Sequence, residues 1–204
     1  MKGHEVIWKM QNKRLIAVIG PSGCGKSSLV KSALETYGSF LNKVQMVTTR
    51  PKRNDNEDYI FMTADEFAQA LLHGELAEAQ FFNGSWAYGS LKESYSDSKI
   101  NIGVFNPEAL DILLDEMSDL SDITVIYVRR DARDRLISCL SREQYPDIDE
   151  VFRRYKADEK DFRAFEYSDW AFIPFVNCNL TWEEAKEKFN DLIYSLVVKP
   201  NLKN

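Results

Sequence analysis

Histidine and cysteine are scarce in this 204-residue sequence. The only histidines are His4 and His73, which leaves little room for catalysis by imidazole groups or for a histidine-rich metal site. Cys24, Cys139 and Cys178 are an odd number of cysteines in a chain long enough to bury a core without disulfides. We therefore expect free thiols and a reducing, cytoplasmic location.

Long apolar runs and an excess of positive charge are also missing. No stretch approaches the roughly 20 apolar residues of a membrane span, and residues 1–13 lack the apolar segment of a secretory signal. The 26 Lys and Arg residues are outnumbered by 32 Asp and Glu residues, for a net charge of −6. We therefore expect neither a membrane nor a nucleic acid as partner; an oligomer is compatible with the sequence, which does not specify one.

Short apolar segments alternate with helical segments along the chain. Strands are predicted at 14–20, 43–47, 58–61, 76–82, 86–88, 100–105, 123–128 and 171–176. Helices are predicted at 27–37, 63–72, from 107 onward, across 131–165 with a break near Pro146, and at 181–198. This alternation predicts an α/β protein with a parallel sheet flanked by helices. The break at 74–89 indicates a small mixed insertion.

The clearest motif follows the first predicted strand. It matches GxxxxGK[ST] and reads Gly20-Pro21-Ser22-Gly23-Cys24-Gly25-Lys26-Ser27. Its glycines let the backbone curl so that N–H groups converge on phosphate oxygens, and the next helix directs its positive N-terminus there. Lys26 is predicted to bridge the β- and γ-phosphates of ATP, and Ser27 to ligate Mg²⁺. The predicted nucleotide-binding residues are Gly20, Ser22, Gly23, Cys24, Gly25, Lys26, Ser27 and Ser28.

Four further motifs follow the loop in order. They read Thr48-Thr49-Arg50-Pro51-Lys52-Arg53, Glu57-Asp58-Tyr59-Ile60-Phe61, Glu75-Leu76-Ala77-Glu78 and Tyr88-Gly89-Ser90. A phosphate monoester carries up to about two negative charges, so its site needs cations and hydroxyls directed at one point. Arg50, Arg53, Tyr59 and Tyr88 can supply both. Any one of these residues alone is better explained as part of a solvated loop or as a core tyrosine; the ordered set favours a site for a phosphate monoester.

In this order and spacing, the motifs resemble the guanylate kinase family over roughly residues 15–197. The resemblance implies a P-loop NTPase fold in a single domain, 1–204. Its parts are a core at about 14–47, 99–128 and 166–198, a nucleoside-monophosphate-binding insertion at 48–98, and a helical lid at 131–165.

The resemblance also assigns roles in binding the acceptor. Arg50, Arg53, Tyr59 and Tyr88 bind its phosphate. Glu78 reads guanine, because guanine presents its N1–H and N2 amino group side by side to one carboxylate, whereas adenine has no N1–H. Ser90 provides a supporting hydroxyl.

Three positions depart from or only approximate the family pattern. Met46 stands where the family usually has a serine that helps to read guanine O6, and a thioether cannot donate a hydrogen bond. Val104 and Asn106 stand where the family has an Asp-x-Asp element, so Val104 cannot supply a carboxylate. Asn106 is retained as a predicted hydrogen-bonding residue for the base or the phosphate. These departures leave the identity of the base more open than the reaction.

The segment 131–165 carries many arginines among acidic residues. Such interleaving is typical of a solvated, ion-paired helix surface. Direct transfer between two anionic substrates, however, needs cations above the transferred group and a cover that excludes water. The resemblance implies that arginines of this segment close over the phosphates. Together with Lys26, the predicted catalytic residues are Arg135, Arg142 and Arg153.

These features predict an enzyme that phosphorylates GMP or dGMP with ATP by direct in-line transfer. One alternative is a kinase of a different nucleoside or deoxynucleoside monophosphate, or of a phosphorylated sugar, in view of Met46 and Val104. A second alternative is a non-catalytic guanylate-kinase-like module that binds phosphoproteins. The intact Gly25-Lys26-Ser27 sequence argues against the second.

Overall fold

The structure, a computed structural model, describes residues 13–52, 57–82, 86–142 and 146–198. Within them, strands and helices alternate. The strands are β1 (Lys13–Ile19), β2 (Leu41–Lys43), β3 (Met46–Thr48), β4 (Tyr59–Phe61), β5 (Leu76–Phe82), β6 (Trp86–Leu91), β7 (Ile100–Val104), β8 (Leu120–Arg129) and β9 (Phe172–Val176). The α-helices are α1 (Lys26–Tyr37), α2 (Ala64–Leu72), α3 (Pro107–Glu116), α4 (Ala132–Leu140), α5 (Ile148–Glu166) and α6 (Trp182–Val197).

A five-stranded parallel sheet in the order β2-β7-β1-β8-β9 forms the centre of the protein. Alternate residues of β1 enter two cores on opposite faces of this sheet. Leu15 packs with residues of α3 and α5, whereas Ile16 packs with residues of α1 and α6. Burial on both faces explains why the segments 15–19 of β1 and 125–128 of β8 are continuously apolar in sequence. The predicted parallel sheet flanked by helices is confirmed.

A second sheet, in the order β4-β3-β6-β5, forms the mixed insertion. One face packs on α2 through a small core that includes Val47, Phe67 and Leu76. The first turn of α2 is fixed by a capping box, in which Thr63 and Glu66 each bond the backbone N–H of the other. The opposite face of this sheet is therefore free of helix α2 and forms a wall of the cleft described below.

The strand predicted at 43–47 is wrong in one respect. The structure divides this segment between β2 in the first sheet and β3 in the second. Val44 is still in the main core, and its N–H donates to the Ile102 carbonyl oxygen over 3.0 Å. The chain then turns into the second sheet at Met46. One short alternating segment thus links two sheets, and its periodicity alone cannot distinguish this arrangement from a single strand.

The predicted helical segment 131–165 consists of α4 and α5. Asp131 accepts a hydrogen bond from the N–H of Arg133 over 2.9 Å at the start of α4. Asp147 accepts one from the N–H of Glu150 over 3.1 Å at the start of α5. These caps satisfy backbone donors that a helix leaves free at its first turn. Among the helices described here, none has the length and apolar character to cross a membrane.

Candidate active site

A cleft of about 490 Å³ lies between the glycine-rich loop, the open face of the second sheet, and α5. It brings together most of the residues predicted from the sequence. The predicted residues that line it are Gly20, Ser22, Gly23, Gly25, Lys26, Ser27, Ser28, Arg50, Tyr59, Glu78, Tyr88, Asn106, Arg142 and Arg153. Cys24, Ser90 and Arg135 do not line it, and Arg53 lies outside the described residues.

At two positions of the loop, the backbone conformation requires glycine. Gly20 and Gly23 have φ angles of 146° and 85°. A Cβ atom on Gly20 would lie 2.3 Å from the carbonyl oxygen of Val128, and one on Gly23 would lie 2.4 Å from that of Arg135. The loop is therefore packed closely against β8 and α4. Its shape is the cradle that phosphate oxygens require, with Ser27 and Ser28 exposed at the start of α1.

Lys26 is held inside this loop. Its Nζ donates to the carbonyl oxygens of Gly20 and Pro21 over 2.5 and 2.9 Å. Burial lowers the pKa of Lys26. A phosphate would supply the negative charge that these neutral carbonyls lack, so the ammonium group is suited to bind an anion at this point.

Cys24 differs from its neighbours because its side chain is buried in the core shared by α1 and α6. Burial also raises the pKa of its thiol, and its carbonyl oxygen accepts from Asn177 Nδ2 over 3.0 Å. Only the backbone of Cys24, and not its side chain, is therefore available for the predicted contact with a nucleotide. The thiol is shielded from the cleft, which makes it a packing group.

Residues of α4 and α5 hold the loop at Ser22. The N–H of Ser22 donates to Asp158 Oδ2 over 2.6 Å, and its carbonyl oxygen accepts from Arg135 Nε over 3.2 Å. Arg135 is buried and also pairs with Glu159 over 2.7 Å. Arg135 therefore holds the loop in place and does not line the cleft. The catalytic role that we predicted for it stays a prediction.

Two predicted lid arginines do reach the cleft. Arg142 lines it from the end of α4, and Arg153 lines it from α5. Arg153 donates to both carboxylate oxygens of Glu150, over 2.6 and 2.9 Å. Arg154, which sequence reasoning did not select, lines the cleft beside it. The cleft thus has several cations on the side opposite the second sheet.

A second cationic cluster surrounds Arg50, which is buried at the end of β3. Arg50 Nε donates to the Tyr88 hydroxyl over 3.1 Å, and its terminal nitrogens donate to Glu57 over 2.7 and 3.3 Å. The rings of Tyr59 and Tyr88 meet edge to face, with centroids 6.1 Å apart. The three predicted phosphate-binding residues that are described therefore form one cluster. Glu57, whose role sequence reasoning missed, is its carboxylate partner.

Glu78 is buried on the same sheet face and lines the cleft. A β-bulge between Leu76 and Glu78 directs Leu76 into the core against α2 and Glu78 into the cleft. Burial raises the pKa of Glu78 to about 8, against the opposing effect of a hydrogen bond from Ser90. Ser90 is fully buried behind Glu78, and its hydroxyl lies 3.0 Å from that of Tyr95. Ser90 thus supports the carboxyl group from behind.

Asn106 connects the site to α3. Its Oδ1 accepts from the N–H of Ala109 over 2.9 Å, which caps the helix. Its Nδ2 donates to Oε1 of Gln80, a buried residue of β5 that also lines the cleft. Sequence reasoning missed Gln80, although its spacing of two residues from Glu78 on a strand places both side chains on one face.

The described residues contain no cluster of three or more His, Cys, Asp or Glu side chains that could hold a metal ion by itself. The exposed hydroxyl of Ser27 is one protein ligand available at the loop. A Mg²⁺ ion here would therefore be held by Ser27 together with oxygens of a bound nucleotide and water, which is an arrangement that this ion favours.

Comparison with known proteins agrees with this geometry. The sequence model of the family described as guanylate kinase matches residues 12–169. The chain is 37% identical over 192 residues to a guanylate kinase of Thermotoga maritima, covering 89% of this chain and 86% of that protein. It is 26% identical over 197 residues to a guanylate kinase of Rubrobacter xylanophilus, with 92% and 97% covered.

The fold has a counterpart among solved structures. A crystal structure of guanylate kinase from Anaplasma phagocytophilum matches with a TM-score of 0.61 at 16% identity, over 92% of this chain and 88% of that one. The family match covers the glycine-rich loop, the Arg50 cluster, Glu78 and α5. The chain therefore belongs to the guanylate kinase family of nucleoside monophosphate kinases.

Proposed function

We propose that this protein transfers the γ-phosphoryl group of ATP to GMP or dGMP, yielding ADP and GDP or dGDP. The observation that carries the proposal is the position of Glu78. A buried carboxyl group, aimed into the cleft that also contains Lys26 and the Arg50 cluster, matches the paired N1–H and N2 donors of guanine. Family membership and the curated relatives support the same reaction.

The residues of the cleft divide between the two substrates. We assign the ATP phosphates to the glycine-rich loop and Lys26, and Mg²⁺ to Ser27, where it would neutralise charge on the β- and γ-phosphates. We assign the acceptor phosphate to Arg50, Tyr59 and Tyr88, with Arg53 as a further predicted contact. The two anionic groups then lie in one cavity, where the protein sets their distance and alignment. This positioning supplies most of the rate enhancement.

Charge neutralisation is the other contribution of the protein. The transition state spreads negative charge over the transferred group, and Arg142 and Arg153 line the cleft where they can approach it. No protein nucleophile or obligatory base is required, which fits a chain with two histidines. We propose residues 131–165 as the lid that brings these arginines in and residues 48–98 as the acceptor-binding subdomain.

A reducing, cytoplasmic location is part of the proposal. Cys24, Cys139 and Cys178 are all free in the structure, as expected for a protein that does not depend on disulfides.

ADP release, measured against a panel of nucleoside monophosphates, deoxynucleoside monophosphates and sugar phosphates, tests the proposed reaction. GMP and dGMP are expected to be the best acceptors, because Glu78 pairs with guanine and cannot pair in the same way with adenine. Turnover of another acceptor with little for GMP would favour the alternative kinase. Tight binding of ATP with Mg²⁺ and no turnover of any acceptor would favour a binding module.

The affinity for GMP is expected to rise with pH up to about 8. Burial raises the pKa of Glu78 to about 8, so its carboxyl group is mostly protonated at pH 7, while guanine binding needs the ionised form. Below that pKa, affinity should increase up to about tenfold per pH unit; above it, the dependence should level off.

Calorimetric titration of GMP between pH 7 and 9 measures this dependence. The lower limit avoids the second ionisation of the GMP phosphate, which occurs near pH 6. Binding of GMP should release protons over the pH range in which the affinity rises. The Glu78→Gln variant should bind GMP weakly and release no proton. A pH-independent affinity with no proton release in the unsubstituted protein contradicts the assignment of guanine to Glu78.

A further inference from the structure

Gln80 is a buried polar residue that lines the cleft, and the reaction proposed above assigns no role to it. It is 4% exposed and lines the cleft from β5, two residues beyond Glu78. Both residues point to the same face of the strand, at Cα positions roughly 7 Å apart. Gln80 therefore lies beside whatever nucleoside Glu78 binds.

The hydrogen bonds around Gln80 fix the direction of its amide. Asn106 Oδ1 accepts from the N–H of Ala109, so the group that Asn106 presents to Gln80 is its NH₂ donor. Gln80 must meet that donor with Oε1. Its Nε2 group then points away from Asn106, and no group among the described residues accepts a hydrogen bond from it. A donor on a largely buried side chain is thus available at the wall of the cleft.

The position of Gln80 indicates which part of a nucleotide it meets. A guanine whose N1–H and N2 group face Glu78 has its 6-oxo group on one flank and its sugar on the other. The hydroxyls of Ser90 and Tyr95 lie at Glu78. Gln80 lies farther along β5 and is in register with Tyr88, which contacts Arg50. The sugar joins the base to the phosphate, so it passes Gln80.

We propose that Gln80 Nε2 donates a hydrogen bond to the 2′-hydroxyl oxygen of the acceptor nucleotide, so that the enzyme prefers GMP to dGMP. Asn106 is a positioning residue for this contact, because it holds Oε1 and leaves Nε2 for the sugar. The inference rests on the proposed function, since it assumes that guanine binds at Glu78. It adds a determinant of ribose against deoxyribose to a site that already reads the base.

Gln80→Met tests this contact, because methionine has a similar length and no hydrogen-bond donor. The measured quantity is the ratio of kcat/KM for GMP to kcat/KM for dGMP. We expect a ratio of about 2 to 10 in the unsubstituted enzyme, the effect of one neutral hydrogen bond, arising mainly in KM. In Gln80→Met the ratio should fall to about one. Because both substrates are compared on one variant, partial loss of folded protein cancels.

Gln45→Met is the matched control. Gln45 is partly buried in the segment between β2 and β3, where its Nε2 donates to the Met46 carbonyl oxygen over 3.0 Å, and it does not line the cleft. It should keep the ratio of the unsubstituted enzyme. Equal kcat/KM for GMP and dGMP in the unsubstituted enzyme, or an unchanged ratio in Gln80→Met, overturns the role of Gln80. If the unsubstituted protein turns over neither GMP nor dGMP, that result instead refutes the proposed function itself.

Discussion

Lys26→Ala is expected to abolish measurable phosphoryl transfer, with kcat lower by on the order of 10³-fold or more. The ammonium group is fixed within the glycine-rich loop by the carbonyl oxygens of Gly20 and Pro21. It is therefore placed within the loop before any nucleotide arrives, and such prior placement favours stabilisation of the charge that develops on the transferred phosphoryl group. No other lysine lines the cleft among the described residues.

The fold should survive this substitution. Burial lowers the pKa of Lys26, which means that the folded protein holds this cation at a cost, and its removal leaves no buried carboxylate without a partner. The thermal unfolding midpoint is thus expected to stay close to that of the unsubstituted protein. Lys31→Ala, an exposed position on the same helix, is the matched control and should keep full activity.

Two measurements on both variants test the role of Lys26. They are the steady-state rate of ADP release and the thermal unfolding midpoint. Near-normal kcat in a folded Lys26→Ala protein would show that the loop does not bind the transferred phosphates in the proposed way. Loss of activity in Lys31→Ala would instead point to a general effect of altering α1.

The parts of the molecule that follow from local sequence were predictable. The loop could be identified because its glycines, Lys26 and Ser27 occur at fixed spacing between an apolar run and a helix. The central strands of the main sheet could be identified because burial on both faces gives them apolar runs, as at 15–19 in β1 and 125–128 in β8. The start of α2 was marked by Thr63 and Glu66, whose reciprocal bonds depend on residues three apart.

Features that depend on the register of distant segments were not predictable in the same way. The bulge between Leu76 and Glu78 decides which of the two enters the cleft, and it is set by pairing with β6. The bond from Ser22 to Asp158 joins residues 136 positions apart, and nothing in the sequence near Asp158 distinguishes it from its acidic neighbours. Arg135 shows the converse: a charged residue in a charged segment was expected in the cleft but braces the loop from a buried position.

Glu78→Gln is expected to lower kcat/KM for GMP by on the order of 10²- to 10³-fold and to remove most of the preference for guanine. Glutamine has nearly the same shape but offers one oxygen acceptor and an NH₂ donor, so a donor of the protein faces a donor of the base. Glu75→Gln is the matched control. Glu75 is exposed at the start of the same sequence motif, and its substitution should leave both the rate and the preference unchanged.

The stability of the Glu78→Gln variant shows whether a loss of activity comes from lost base binding or from a general folding defect. The folded-state pKa of Glu78 is raised to about 8 from an ordinary value of 4.5. Its contribution to the free energy of unfolding is therefore fully present below about pH 4.5 and is lost as pH rises through 8. Neutral glutamine does not ionise, so the stability of the variant relative to the unsubstituted protein should rise from about pH 4.5 to about pH 8 and stay constant above that. A variant that is stable in this way yet phosphorylates GMP at the normal rate would remove Glu78 from the base-binding site.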